Sequence, residues 1–279
     1  MIRRPPRSTL DRSSAASDVY KRQDDTSDKT KVIDFLDKVC EGKVQECIDR
    51  SFNGLREYMN AYQQKMFMKR EVLADRAIWT GKKHYIINVH DSEGVRFEKP
   101  KIKVKGLESV KSSTPAIVRQ KLADAYKILM NDTEDDMIAF VESFRNQFEA
   151  LPPEDVAFPR SVKGIAKYSD ATMLYKKGTP IHVKGTIIHN NLLKQHKLTK
   201  KYQIIQEGEK IKFVYLVMPN PIHENVIAMV DGLPDGLGLD QYVDRNRMYE
   251  KTFYTPLAEL VEKIGWNLEE TTTLDAFWA

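Results

Sequence analysis

The chain has 279 residues, of which 41% are hydrophobic and 30% are charged. This composition supports a buried core and excludes an intrinsically disordered protein. The formal net charge is only +4, so binding to a polyanion has to come from local clusters of cations. The sequence has no apolar run of the length that crosses a membrane. We therefore expect a folded protein of one or two domains, without a membrane partner.

Residues 1–23 differ from the rest of the chain. They mix Arg, Pro, Ser and Ala without a hydrophobic period and lack the apolar stretch of a signal peptide. They resemble a translated sequencing adapter, so we exclude them from the fold prediction. The alternative is a disordered basic arm that contacts DNA.

The first patterned region predicts one long helix followed by a small sheet. Between Val32 and Met59, apolar residues recur at spacings of three and four, with a predicted bend at Glu41-Gly42. Short strands joined by turns follow, which predicts a small antiparallel sheet with the helix on one face. The predicted strands are residues 66–73, 85–89 and 95–97, followed by a strand on which Lys99, Lys101, Lys103 and Lys105 alternate.

The second half of the chain is predicted to be mainly helical. The hydroxyls before Pro115 indicate a helix N-cap, with Pro115 at the first helical position. Residues 131–133 cap the next helix, and further helices are expected after Thr179 and from Tyr242.

A β-hairpin is predicted within this helical half. Residues 202–205 and 211–217 flank a turn at residues 207–209. The fold class is therefore α+β: a small antiparallel sheet with a long helix, then a mainly helical region with a β-hairpin insertion.

The sequence gives no sign of a metal site. It contains neither the glycine-rich phosphate-binding motifs nor the serine-nucleophile motif of common enzyme classes. His182, His189 and His196 recur every seven residues, so neighbours on one helix would lie about 10 Å apart, too far to share a metal ion. The carboxylates at residues 24–28 lack the flanking apolar strand that holds two metals at a fixed distance.

Cations concentrate between Lys82 and Lys111. The alternating lysines of residues 99–105 share one face of a strand, and the helix start at residues 112–114 offers backbone N–H groups to a phosphate. This pattern predicts a surface that binds a phosphate backbone. The alternative is a solvated, lysine-rich edge strand that protects against aggregation.

Several motifs in this region resemble the end of the palm and the start of the thumb of bacteriophage family-B replicative DNA polymerases. They are Trp79-Thr80-Gly81-Lys82-Lys83-His84-Tyr85, Gly106-Leu107-Glu108 and Lys111-Ser112-Ser113-Thr114-Pro115. Later motifs, such as Ile165-Ala166-Lys167-Tyr168 and His182-Val183-Lys184-Gly185, follow in the same order. The resemblance implies that residues 24–105 are the C-terminal part of the palm, residues 106–268 the thumb and residues 269–279 a clamp-binding tail.

The resemblance also implies the partners. Lys83 and Tyr85 are expected to contact the minor groove of the primer-template duplex, where the base code is degenerate and the shape of the duplex is read. In the tail, Leu274, Phe277 and Trp278 resemble a peptide that binds a sliding clamp; the alternative is a tail folded back on the thumb. The DNA-binding residues implied are Lys82, Lys83, Tyr85, Lys103, Lys105, Lys111, Ser112, Arg119, Lys167 and Lys184.

Catalysis is expected to lie outside this chain. The two aspartates that hold Mg²⁺ in the family would precede Lys31, where the adapter-like residues stand. Glu71 is implied as a neighbour of the metals, with an ion pair to Lys69 or Arg70 as the alternative. We therefore expect a fragment that binds primer-template DNA, in the cytoplasm of an infected bacterial host, and does not polymerise by itself. The alternative is a stand-alone duplex-binding or clamp-tethering module without catalysis.

Overall fold

A computed structural model describes residues 29–269. The adapter-like residues 1–23 and the tail that carries Leu274, Phe277 and Trp278 therefore lie outside the described residues. The described chain forms two compact units. Unit 1 consists of residues 29–75 and Asn88–Lys101, and unit 2 consists of Arg76–Ile87 and residues 102–269. Within residues 29–269, no helix is both long and apolar enough to cross a membrane.

Unit 1 begins with the predicted long helix, which the structure divides. Helix α1 (Lys29–Val39) and helix α2 (Gln45–Tyr58) are joined by a π-helical turn, Cys40–Val44. The predicted bend at Glu41-Gly42 falls inside this turn, as expected where an extra residue widens a helix. Neither helix contains a buried residue.

The three-stranded sheet has the order β1-β2-β3, with β1 at Val72–Gly81, β2 at His84–Ser92 and β3 at Val95–Lys105. Two details differ from the prediction: β1 begins at Val72, and residues 95–105 form one strand instead of two. Glu93 and Gly94 both have positive φ, as the central residues of a tight hairpin turn often do.

Unit 2 is built on two packed helices, α3 (Ala116–Asn131) and α4 (Glu134–Glu149). The predicted cap at residues 131–133 is confirmed, because Thr133 and Asp136 form a reciprocal capping box. At the start of α3 the prediction is wrong in detail. Pro115 is itself the N-cap, and no side chain caps the helix. The core of unit 2 includes Leu122, Phe144, Phe148 and Phe253.

A second sheet with the order β4-β7-β8 (Phe158–Ser161, Lys210–Tyr215 and Val226–Met229) completes unit 2, and helix α7 (Ile181–Gln195) packs against β8. Gly185 permits this close packing, because a Cβ at that position would lie 3.0 Å from the amide nitrogen of Ala228. The remaining helices and strands are α5 (Pro153–Val156), β4 (Phe158–Ser161), α6 (Ile165–Tyr168), β5 (Ser169–Asp170), β6 (Leu174–Tyr175), α7 (Ile181–Gln195), β7 (Lys210–Tyr215), β8 (Val226–Met229), α8 (Arg245–Tyr249) and α9 (Thr255–Val261), with a π-helical turn at Glu250–Tyr254.

The predicted pairing of residues 202–205 with residues 211–217 is wrong. Strand β7 pairs instead with β4 on one side and β8 on the other, both antiparallel. The backbone of Ile205 is held by the side chain of Asn190, whose amide donates to the Ile205 carbonyl and accepts from its N–H at 2.8 and 2.9 Å. These bonds replace those of a strand ladder. The α+β class itself is confirmed, with mixed helices and small sheets.

Candidate nucleic-acid interface

The β1–β2 turn carries two of the predicted DNA contacts, Lys82 and Lys83. Gly106, directly after β3, packs against this turn. Its φ is +74°, and a Cβ there would lie only 2.5 Å from the carbonyl oxygen of Lys83 and from Cδ2 of His84. Only glycine tolerates this approach. The contact places Lys105, an exposed residue, beside the turn that carries Lys82 and Lys83.

Lys111 lies after a short 3₁₀ turn and is exposed. Its Nζ is 2.8 Å from Oε1 of Glu108. An exposed pair of this kind stabilises by at most about 1 kcal/mol, so a phosphate can compete for the lysine. Tyr126 anchors the turn by a hydrogen bond with Ser109, and burial raises the pKa of Tyr126 to about 12. Ser112, the residue after Lys111, is also exposed.

Two further predicted DNA contacts, Lys103 and Arg119, are less exposed than Lys111. Both side chains are half-buried. Nε of Arg119 is buried without a hydrogen-bond partner among residues 29–269. A guanidinium nitrogen buried in this way is out of reach of an external phosphate oxygen, so only the other nitrogens of Arg119 could contact DNA.

Lys167 and Lys184 differ in their surroundings. Lys167 is exposed on α6 and lies 5.2 Å from the ring centroid of Tyr168. Lys184 lies on α7, where its Nζ contacts Oε2 of Glu224 at 2.9 Å and Oδ1 of Asn225 at 3.0 Å. Burial opposes the charge of Lys184, but the hydrogen bonds with Glu224 and Tyr175 and the charge of Glu224 together outweigh it, so the pKa of Lys184 is raised. The ammonium is therefore engaged inside unit 2.

A groove of about 710 Å³ in unit 2 contains cations that the sequence prediction missed. Arg160, His182 and Lys251 line it together with Tyr215 and Glu108. The guanidinium of Arg247 lies 4.2 Å from the ring centroid of Tyr215. Aromatic faces combined with cations are typical of surfaces that bind nucleic acids. Burial, and then the charge of Arg160, lower the pKa of His182, so this histidine adds little charge near neutral pH.

The alternation of aromatic and basic residues along β4 and β7 was a sequence signal for this groove. Phe158 and Arg160 share one face of β4, and Phe213 and Tyr215 share one face of β7. The rings of Phe158 and Phe213 stack at 5.1 Å between centroids. The pattern was missed because β4 is only four residues long and includes a proline.

The described residues do not form a metal centre. Glu71 is exposed and lies just before β1, with its carbonyl oxygen accepting a hydrogen bond from the Glu93 N–H at 2.7 Å. Within residues 29–269, no three His, Cys, Asp or Glu side chains are grouped in a way that could hold a metal ion. This donor set does not fit the Mg²⁺ site of a polymerase.

No protein-family model matches this chain. The curated proteins to which it is similar include DNA-directed DNA polymerases of bacteriophages. The polymerase of Escherichia phage RB69 is 32% identical over 254 residues, which are 87% of this chain and 28% of that polymerase. The polymerase of Enterobacteria phage T4 is 27% identical over 270 residues, 92% of this chain and 29% of that protein. The similarity confirms the resemblance to phage DNA polymerases, and this chain spans less than a third of their length.

Proposed function

We propose that this chain is the primer-template-binding part of a family-B DNA-directed DNA polymerase. Residues 24–105 form the end of the palm and residues 106–268 the thumb. Residues 269–279 bind a sliding clamp through Leu274, Phe277 and Trp278. The intact enzyme transfers nucleotides in the cytoplasm of an infected bacterial host.

The contact of Gly106 with the β1–β2 turn carries the proposal. It places Lys105, the residue before Gly106, beside the turn that carries Lys83, with Lys111 and Ser112 a few residues further along the chain. Lys105, Lys111 and Ser112 are suited to phosphates, and Lys83 and Tyr85, at the turn and at the start of β2, are suited to the minor groove. Contacts of these two kinds recognise a duplex without selecting its sequence.

Nucleotidyl transfer belongs to the intact enzyme. Mg²⁺ supplies charge stabilisation in such reactions, and we place its principal ligands outside this chain, with Glu71 as a neighbour of the metal site. The residues of this chain bind and orient the duplex.

The proposal is tested by the salt dependence of DNA binding. Contact with four to six phosphates gives a slope of about −4 to −5 for log affinity against log salt. We expect this slope from fluorescence anisotropy with a primer-template duplex, together with weaker binding to a single strand. A flat salt response overturns the proposal.

Two substitutions sharpen this experiment. Lys83→Ala is expected to reduce the magnitude of the slope by about one, whatever the DNA sequence. Tyr85→Ala weakens binding and leaves the slope unchanged, because it removes no cation. Lys127→Ala is the control: this exposed lysine on α3 pairs with Asp124 and lies outside the proposed contacts, so it leaves the slope near that of the parent chain.

A further inference from the structure

Residues 162–178, which we call the basic lobe, form a lysine-rich segment of unit 2. The lobe contains α6, β5 and β6, and its acidic residue, Asp170, accepts hydrogen bonds from the backbone N–H groups of Thr172 and Met173. The carboxylate therefore serves the local turn. The exposed lysines of the lobe are Lys163, Lys167, Lys176 and Lys177.

Two carboxylates from other parts of unit 2 hold the basic lobe. Glu207 accepts hydrogen bonds from the backbone N–H groups of Gly164 and Ile165, the latter at 2.9 Å. Glu224 accepts a hydrogen bond from the hydroxyl of Tyr175, at 2.9 Å to one oxygen and 3.1 Å to the other. The first bond fixes the start of the lobe, and the second fixes its end.

Glu224 also binds Lys184, which makes it the centre of a network. The Lys184 side chain is 18% exposed and that of Glu224 is 20% exposed. The Lys184 ammonium lies 4.8 Å from the ring centroid of Tyr175, so it contacts both groups that meet at the lobe. Displacing Glu224 by a phosphate would leave a half-buried carboxylate unpaired, which is costly.

We propose that Glu224 and Lys184 are positioning residues for DNA binding. They fix the basic lobe so that its lysines reach the phosphate backbone, and Lys184 does not itself contact DNA. This inference rests on the proposed function and changes the role expected for Lys184 from the sequence.

The substitution Glu224→Gln separates this role from simple electrostatics. It removes a negative charge, so Coulomb attraction alone predicts tighter binding of the full chain to DNA. Positioning predicts the opposite, because the lysines of the lobe lose their fixed place. We expect binding to a primer-template duplex to weaken about 10- to 100-fold, with a slope of log affinity against log salt smaller in magnitude by about two to three. Fluorescence anisotropy over a KCl series measures both quantities.

Matched variants identify the cause. Glu142→Gln removes the same charge from an exposed position on α4 and is expected to bind at least as tightly as the parent chain. Lys184→Met is expected to behave like Glu224→Gln, and Lys184→Arg, which keeps charge and donors, to retain most of the affinity. Tyr175→Phe removes only the hydroxyl and is expected to fall between the parent chain and Glu224→Gln.

Limited trypsin digestion provides a readout that does not depend on DNA. Glu224→Gln and Lys184→Met are expected to speed cleavage at the lysines of the lobe, while Glu142→Gln does not. Two outcomes overturn the inference. In the first, Glu224→Gln binds as tightly as the parent chain, with an unchanged salt slope.

In the second, Lys184→Met reduces the magnitude of the salt slope by only about one and does not speed cleavage, because Lys184 is then a direct contact. A parent chain that fails to bind duplex overturns the proposed function itself, whatever the digestion pattern.

Discussion

At the scale of single residues, unit 1 is held together by charges more than by apolar burial. Helix α1 has no buried residue, yet Asp37 on this helix contacts Arg70 at 2.7 Å. Arg70 also binds Asp91, whose side chain is fully buried, and Nε of Arg96 forms an ion pair with Oδ2 of Asp91 at 2.9 Å. A half-buried network of this kind depends on every member, because removing one leaves an uncompensated charge.

We therefore expect Asp91→Asn to destabilise unit 1 by about 2–4 kcal/mol, since Arg70 and Arg96 lose their shared carboxylate. Asp124→Asn is the control, because the pair of Asp124 with Lys127 is exposed and its loss costs less than about 1 kcal/mol. Urea unfolding of both variants measures the two values. Equal losses of stability would contradict a special role for the buried network.

Asp91→Asn is also expected to change how the stability of unit 1 depends on pH. Burial opposes the charge of Asp91, but the hydrogen bonds from Arg70 and from the Gly94 N–H, together with the charges of Arg70 and Arg96, outweigh it, so the pKa of Asp91 is below its ordinary value of 3.8. The stability that this carboxylate contributes is present above pH 3.8 and is lost as the pH falls through the pKa of the folded state. The stability of the Asp91→Asn variant is thus expected to depend less on pH below 4 than that of the parent chain.

At the scale of elements, the junction between β3 and the β1–β2 turn controls the candidate interface. Gly106→Ala places a methyl group 2.5 Å from the Lys83 carbonyl oxygen, so the turn has to move. We expect a loss of about 2–4 kcal/mol in stability, which combines left-handed strain with overpacking, and weaker DNA binding. Thermal unfolding and anisotropy measure the two effects.

Gly208→Ala separates the two contributions. Gly208 also has a positive φ, +89°, but a Cβ there meets nothing within 4 Å. Its substitution is expected to cost about 1–2 kcal/mol from strain alone. If both variants lose the same stability, crowding against the turn is not what requires glycine at position 106.

Elements with a clear local pattern were predictable from the sequence, and elements defined by distant partners were not. Helices α3 and α4 followed from apolar periodicity and, for α4, from the cap at Thr133. The strand partners of β7 could not be predicted in this way, because the side chain of Asn190 forms hydrogen bonds with the backbone of Ile205 and keeps that segment out of the sheet. Long-range partners of this kind leave no periodic signal near the segment they hold.

The candidate site shows the same division. Clustering of lysines along residues 82–111 was visible in the sequence; in the structure Lys82 and Lys83 lie in the β1–β2 turn, and Lys105 ends β3. The ion pair of Lys184 with Glu224 joins residues 40 positions apart (224 − 184), so the sequence alone gave Lys184 the same expected role as Lys167. The sequence shows which residues carry a charge, but only the fold shows whether that charge is free to bind a phosphate or is already paired within the protein.

At the scale of the whole molecule, this chain covers 28% of the RB69 phage polymerase and 29% of the T4 phage polymerase. Exposed apolar side chains occur along the two helices of unit 1 and after them, including Phe35, Tyr58 and Phe67. Large exposed apolar groups in a soluble domain commonly mark surfaces that contact another part of an assembly. DNA binding and clamp binding are proposed for separate parts of the chain, and this separation can be tested.

Deletion of residues 274–279 is expected to abolish association with a sliding clamp and to leave the affinity for primer-template DNA unchanged. The deleted segment contains the apolar Leu274, Phe277 and Trp278 and no cation, so the salt slope of DNA binding should also stay the same. Pull-down with a phage sliding clamp and anisotropy with the duplex measure the two associations. Lys83→Ala is the reciprocal control, since it weakens DNA binding and keeps the tail intact.

If the deletion and Lys83→Ala reduce clamp association equally, the tail is not the clamp-binding element. If the deletion weakens DNA binding, the tail acts on the duplex surface instead.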